Sequence, residues 1–217
     1  MLIKKLIKVI TKYSKYSLEA GVDEAGRGCL AGPVFAAAVI LPDNFSHPLI
    51  KDSKKLTAKE REEARKIIEA NAVSYSVAFV SNEKIDEVNI LQATMIAMHR
   101  ALAHLNIQPE FVVVDGNYFI RYNDLPYQTI AKADNTYYHV AAASILAKTY
   151  RDEYMAMLHN DYPMYQWSKN KGYPTKVHRQ AIVDFGISPY HRKSFKLLSL
   201  RISKVGILIW ENEYNAS

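Results

Sequence analysis

Four consecutive apolar residues at 111–114, Phe-Val-Val-Val, run directly into Asp115 and Gly116. A run this short and this uniformly apolar fits a strand covered on both faces, because a half-exposed strand alternates apolar with polar residues. The rest of the chain supplies partners for such a strand. Apolar runs at 18–23 and 34–41 flank a segment holding Gly26, Gly28 and Gly32, which predicts two strands joined through a glycine-rich turn. Thr57 opens a helical stretch, with Glu60 placed as its capping-box partner. Residues 74–80 alternate Tyr75, Val77 and Phe79 against Ser74, Ser76 and Ala78, the pattern of a half-buried strand. A helix is expected over 90–105 before Pro109, a strand at 127–131, a long alanine-rich buried helix over 140–158 and a further helix at 175–185. Early antiparallel strands followed by strand–helix alternation predict an α/β domain built on a mixed sheet.

The 217 residues suit one domain with a sizeable core, or a domain with a small appendage. A net charge of +6 favours a polyanionic partner, though basic proteins of many kinds share it. Cys29 is the single cysteine, which excludes an internal disulfide framework and a cysteine-rich zinc site and suits a reducing cytoplasm. Among the seven histidines, His99 and His104 are five apart, off one helix face, so zinc ligation is disfavoured. At the start, Leu2, Ile3, Leu6, Ile7 and Ile10 recur at helical spacing with Lys4, Lys5 and Lys8 between them. Those lysines interrupt any secretory or membrane-spanning stretch. A short docked helix or a frayed end is preferred to a helix lying on a membrane surface. The segment from 198 onward, with the apolar run VGILIW at 205–210, is expected to pack against the body; docking to a partner is the alternative.

Acids fall at the ends of three strand candidates. Asp23 and Glu24 follow the first, Asp115 follows the apolar run, and Asp134 lies just past 127–131 and ahead of the alanine-rich helix. Strand termini are where α/β domains commonly place their sites. Taken singly, Asp115 before Gly116 also fits a turn, and Asp134 before a helix also fits a cap. Two adjacent acids at a strand end, Asp23 and Glu24, gain nothing structurally. Together the acids suit phosphodiester hydrolysis, in which two Mg²⁺ ions about 3.5–4 Å apart hold the attacking and departing oxygens. Hard divalent cations take oxygen ligands, and clustered carboxylates without metal would repel one another.

The motifs DEAGRG (23–28), DSKKL (52–56), NILQATMIAM (89–98), DGN (115–117), AAASILAK (141–148), KGYPT (171–175) and HRKSF (191–195) occur in the order found in ribonuclease HII, and the chain resembles that family from about 18 to 196. The resemblance implies a ribonuclease H-like mixed sheet flanked by helices, with a small C-terminal helical region carrying part of the substrate cleft. It divides the chain into an extension (1–17), a catalytic domain (18–197) and a tail (198–217). It further implies cleavage of the RNA strand of RNA–DNA hybrids and nicking 5′ of ribonucleotides embedded in duplex DNA, with Mg²⁺ or Mn²⁺, leaving 3′-hydroxyl and 5′-phosphate ends.

By motif position Asp23, Glu24, Asp115 and Asp134 match the family's metal-binding acids. Ala133 stands where the family commonly has glycine before that last acid, Cys29 where proline usually follows GRG, and Asn170 where histidine usually precedes KGY. The ribose-reading elements map to Gly26, Arg27, Gly28 and Tyr173. Glycine admits close backbone approach, and the 2′-hydroxyl both donates and accepts a hydrogen bond. Lys54 and Lys148 are candidate phosphate contacts, with Ser144 one turn before Lys148 on the same helix face. A monomer acting on nucleic acid, without membrane association, is expected. The related ribonuclease HIII carries an N-terminal domain for which too few residues precede Asp23, and it has GTG in place of Gly26-Arg27-Gly28. A non-catalytic nucleic-acid-binding module on the same fold is the alternative from another class, and the retention of all four acids argues against it.

Overall fold

Every residue of the strand β2 (Val34–Ile40) is buried, and alanine fills its three central positions. Small side chains let layers close in from both sides, and this strand lies near the middle of the domain. The computed structural model describes residues 10–198 and, beyond them, the backbone of two short strands. A five-stranded sheet runs in the order β3 (Ser74–Val80), β2, β1 (Glu19–Ala25), β4 (Phe111–Asp115), β5 (Tyr127–Ile130). β1, β2 and β3 pair antiparallel, whereas β1 with β4 and β4 with β5 pair parallel. The sheet is therefore mixed, and among the described residues five α-helices complete the order: α1 (Ala58–Asn71), α2 (Asn82–Ala103), α3 (Tyr138–Asp161), α4 (Trp167–Asn170) and α5 (Lys176–Phe185).

The sheet divides the core in two. On one face Val22, Ala36, Ala38, Val112 and Val114 pack with Ala93, Ala97, Met98 and Ala101 of α2. On the other, Ala37 and Val39 pack with Ala64 and Ile68 of α1 and with Ala142, Ile145 and Leu146 of α3. The apolar run at 111–114 thus has cover on both sides, as its composition requires. α3 lies closest. A Cβ at Gly21 would come 2.2 Å from the carbonyl carbon of His139, so only glycine lets β1 meet the helix backbone there. That contact fixes which α3 residues reach the end of β1.

One expectation needs correction. The helix expected over 90–105 begins at Asn82, where Ser81 Oγ accepts from the Lys84 amide. It breaks at Asn89 (φ 68°), whose side chain accepts from the amides of Leu91 and Gln92 and so restarts the helix. The periodicity from Ile90 captured only the portion after that break. The half-buried strand expected over 74–80 is β3, and its more deeply buried face is the small one: Ser74, Ser76, Ala78 and Val80 are buried, whereas Phe79 is 47% exposed. Close approach of α2 explains this, since Ser76 Oγ donates to the Ala101 carbonyl while Phe79 stacks on Phe35.

The basic segment at 1–9 lies outside the described residues. Residues 205–207 of the apolar run at 205–210 do too, although the backbones of β6 (Leu200–Ile202) and β7 (Leu208–Trp210) pair antiparallel. Residues just before β1 are tied to the domain, because the buried Glu19 carboxylate accepts from the amides of Tyr13 and Ser14. Among the described residues, no helix is long and apolar enough to cross a membrane.

Candidate active site

The parallel register sets Val22 opposite Val114, so the next residues, Asp23 and Asp115, emerge side by side from neighbouring strands. Both lie on the α3 side of the sheet, as alternation dictates. Glu24 points to the other side of the strand, yet it lines the same cavity of about 510 Å³ with Asp23, Asp115, Gly26, Arg27, Gly28, Ser53, Lys54, Ser144, Lys148 and Tyr173. Of the residues selected from sequence, only Asp134 is not on that wall. It sits in a 3₁₀ turn, Ala133–Asn135, and is 2% exposed. Its carboxylate takes Lys54 Nζ at 3.5 Å and Asn135 Nδ2 at 3.0 Å.

Charge accumulates in this region. Burial pushes the Asp23 carboxyl well above the usual carboxylate range, and the neighbouring Glu24 and Asp115 push it further; the Ser144 hydroxyl and Glu24 amide pull against them. Burial also raises Glu24, partly offset by Arg27, whose Nη1 lies 3.2 Å from Glu24 Oε1. Asp115 is raised by burial and by Asp134, and lowered by the Ala133 amide, which donates to its Oδ1 at 2.7 Å. Lys54 loses some basicity to burial, but Asp134, Asp52 and Asp23 outweigh that and raise it.

This donor set is all oxygen and carries more negative charge than its cations offset, which suits a hard divalent ion. Among the described residues, no three His, Cys, Asp or Glu side chains already close on one point as a cage. Glu24 is paired with Arg27 and Asp134 with Lys54, and Asp23, Glu24 and Asp115 line an open cavity instead.

Ala133 has no positive φ; the left-handed residue is its neighbour Lys132, at φ 61°. Alanine in place of the family's glycine is therefore unstrained, and its amide still reaches Asp115. Gly26 (φ +97°) needs to be glycine, since a Cβ there would lie 2.0 Å from Arg151 Nε. Gly28 differs: a Cβ would meet no protein atom within 4 Å, so the space beside it opens into the cleft. Ser144 is turned inward, with its hydroxyl 3.1 Å from that of Ser53 and beside Asp23. Lys148 pairs with Asp152 at 3.3 Å. Tyr173 is 41% exposed, and the Arg151 guanidinium lies 5.9 Å from its ring centre.

Sequence reasoning missed the residues that brace these loops. Arg151 is buried and donates to the carbonyls of Ala31, Pro33 and Lys171. Arg192, also buried, donates to the carbonyls of Gly32 and Arg27. Membership in the HRKSF motif was the only signal for Arg192, and nothing in the sequence marked Arg151.

A mixed sheet of this order, with acids at the ends of adjacent central strands and helices on both faces, defines a nuclease of the ribonuclease H-like class. The family model described as Ribonuclease HII matches residues 20–198. The chain is 56% identical to the ribonuclease HII of Bacteroides thetaiotaomicron over 185 residues, which are 85% of this chain and 92% of that one. It is 57% identical to that of Parabacteroides distasonis over 181 residues, 83% of this chain and 91% of the relative. The crystal structure of ribonuclease H2 from Pyrococcus horikoshii is similar with a TM-score of 0.68 at 28% identity, covering 82% of this chain and 94% of that one. The chain belongs to the ribonuclease HII family. It is thus a ribonuclease H, an endonuclease acting on nucleic acid, in a family that depends on divalent metal.

Proposed function

We propose that this enzyme hydrolyses the RNA strand of RNA–DNA hybrids and nicks duplex DNA on the 5′ side of embedded ribonucleotides, leaving 3′-hydroxyl and 5′-phosphate ends. The observation that carries the reading is the convergence of Asp23, Glu24 and Asp115 on one cavity, with carboxyls forced up by burial and mutual repulsion. Such a site is destabilised until positive charge enters it. Asp23, Glu24, Asp115 and Asp134 are the residues that would hold two Mg²⁺ or Mn²⁺ ions. Bound there, the ions supply Lewis-acid activation of a water and neutralisation of the phosphate.

The protein's own groups divide the remaining work. Asp23 is steadied by the Ser144 hydroxyl and Glu24 amide, and Asp115 by the Ala133 amide, so both carboxylates are held before substrate arrives. The open space at Gly28 admits a sugar against the backbone of Gly26, Arg27 and Gly28, where main-chain groups can test for a 2′-hydroxyl. Tyr173 lines the same cavity, its hydroxyl beside the Cys29 thiol, and in this reading packs its ring on the neighbouring sugar and turns its hydroxyl to the cleavage site. Lys54 and Lys148 offer ammonium groups to the phosphates along the same cleft. Arg27 and Lys54 are paired with Glu24 and Asp134, and would be free to face phosphate if divalent ions took those carboxylates. In this reading residues 18–197 form the catalytic unit, which works as a monomer in the cytoplasm.

Incubation with a duplex carrying one ribonucleotide tests this directly. The expected products are a single nick 5′ of that ribonucleotide in Mg²⁺ or Mn²⁺, with 3′-hydroxyl and 5′-phosphate ends, and none in EDTA. Equal cutting of an all-DNA duplex, or nicking without divalent ion, would overturn the reading.

A further inference from the structure

His178 and His191 lie thirteen residues apart in sequence and meet in the interior, with Nε2 atoms 3.1 Å apart. Both are fully buried, walled by Tyr165 and Trp167. Packing alone does not account for them, because each ring carries two polar nitrogens that cost free energy when buried unpaired. All four nitrogens have partners.

Obligate donors fix the protons. The Ser188 amide donates to His191 Nδ1 at 2.9 Å, so that nitrogen is bare and the proton of His191 is on Nε2. The Trp167 indole, which can only donate, reaches His178 Nε2 at 3.0 Å, so that nitrogen is bare as well. Its single lone pair is shared between the indole N–H and the His191 Nε2–H, 3.1 Å away. The proton of His178 is therefore on Nδ1, which points at the carbonyl of Tyr173 at 2.9 Å. Both rings are neutral in this arrangement. Consistent with this, burial pushes His178 down, and burial with the neighbouring His178 pushes His191 down to about 4. The Tyr173 carbonyl also accepts from the Thr175 amide at 2.8 Å, and the preceding Gly172 carbonyl accepts from the Leu30 amide at 2.8 Å.

We infer that His178 is a positioning residue, its tautomer set by Trp167 and by the Ser188–His191 pair, that fixes the backbone of Tyr173 and so the place of the phenol in the cleft. The inference rests on the reading of Tyr173 as a substrate contact. A 1 Å misplacement of such a group costs about a hundredfold in rate, so an anchor on its backbone has a kinetic signature.

The test compares kcat and KM on the single-ribonucleotide duplex for His178→Leu, His178→Asn, His178→Gln and Tyr173→Ala, and for Tyr173→Ala with His178→Leu, each checked for folding by thermal melting. His178→Leu is expected to lose at least about tenfold in kcat with KM changed less than about twofold. Asparagine places its amide where Nδ1 was and restores most of the rate. Glutamine reaches towards Trp167 and His191 instead, and falls with leucine. Because His178 acts through Tyr173, the double variant is no slower than Tyr173→Ala alone.

A folded His178→Leu with wild-type kcat, beside a slow Tyr173→Ala, overturns this inference alone, as does full additivity in the double variant. Wild-type kcat in Tyr173→Ala overturns the underlying reading too. Should the leucine variant not fold, imidazole nitrogen NMR on the wild-type protein decides: a proton on Nδ1 of His178 is expected, and one on Nε2 sinks the proposal.

Discussion

Asp23→Asn is expected to melt at a higher temperature than the wild-type protein in the absence of metal, while losing cleavage by at least about a thousandfold, the scale on which a preorganised electrostatic group acts. The two effects share one cause. Asp23 is 5% exposed, and its carboxyl is forced up by burial and by Glu24 and Asp115. Asparagine keeps the shape and the acceptor oxygen that faces the Glu24 amide at 2.7 Å, but carries no charge. Relief of even about 1 kcal/mol corresponds to a rise of about 2–4 °C for a domain of this size.

The pH dependence follows from the same shift. A carboxyl whose folded pKa exceeds its unfolded value contributes stability that is fully present below about 3.8 and is lost as pH rises through the folded value. Above it, the wild-type protein carries a buried, repelled charge that the variant lacks. The gap in melting temperature between variant and wild type is therefore widest near neutral pH and closes on acidification. Mg²⁺ or Mn²⁺ should raise the wild-type melting temperature and raise the variant's less. Thermal melts across pH, with and without divalent ion, check the set. A variant less stable than wild type at neutral pH without metal, or one that still cleaves, contradicts the assignment of Asp23.

Asp23, Glu24 and Asp115 were legible because each ends an apolar run, and a strand's end is a place that sequence can name. Their mutual distance was not legible; it follows from the parallel pairing of β1 with β4, which brings residues some ninety apart to one register. The strands and most helices were readable for the same reason, since period and caps are local. The first portion of α2 was hidden by the break at Asn89, and the alternation in β3 named a half-buried strand without saying that α2 would select its small face. The groups that hold the loops were harder still. Arg151, Arg192, His178 and His191 use backbone carbonyls or one another as partners, and a carbonyl leaves no mark in a sequence.

Arg151→Met is expected to destabilise the protein by about 3 kcal/mol or more, since each buried acceptor left without a donor costs about 1–3 kcal/mol. Replacing a buried ion pair with well-packed apolar residues is often neutral, because both charges go together. Arg151 is a different case. Among the described residues no carboxylate pairs with it; its nitrogens reach the carbonyls of Pro33 at 3.1 Å, Lys171 at 2.8 Å and Ala31 at 3.1 Å. Methionine removes the donors and leaves those acceptors behind. Lysine should recover only part of the loss, since one ammonium cannot match the planar fork that spans three diverging acceptors. The consequence extends to the cleft, because residues 31–33 lead from the glycine turn into β2, and Lys171 begins the loop carrying Tyr173. With both released, the cleft walls at Gly28 and Tyr173 lose their common brace, so kcat should fall even at temperatures where the variant remains folded. Urea unfolding measures the first effect and single-ribonucleotide cleavage the second. A methionine variant within about 1 kcal/mol of wild type would mean that the carbonyls find other donors, and that Arg151 does not brace the two walls.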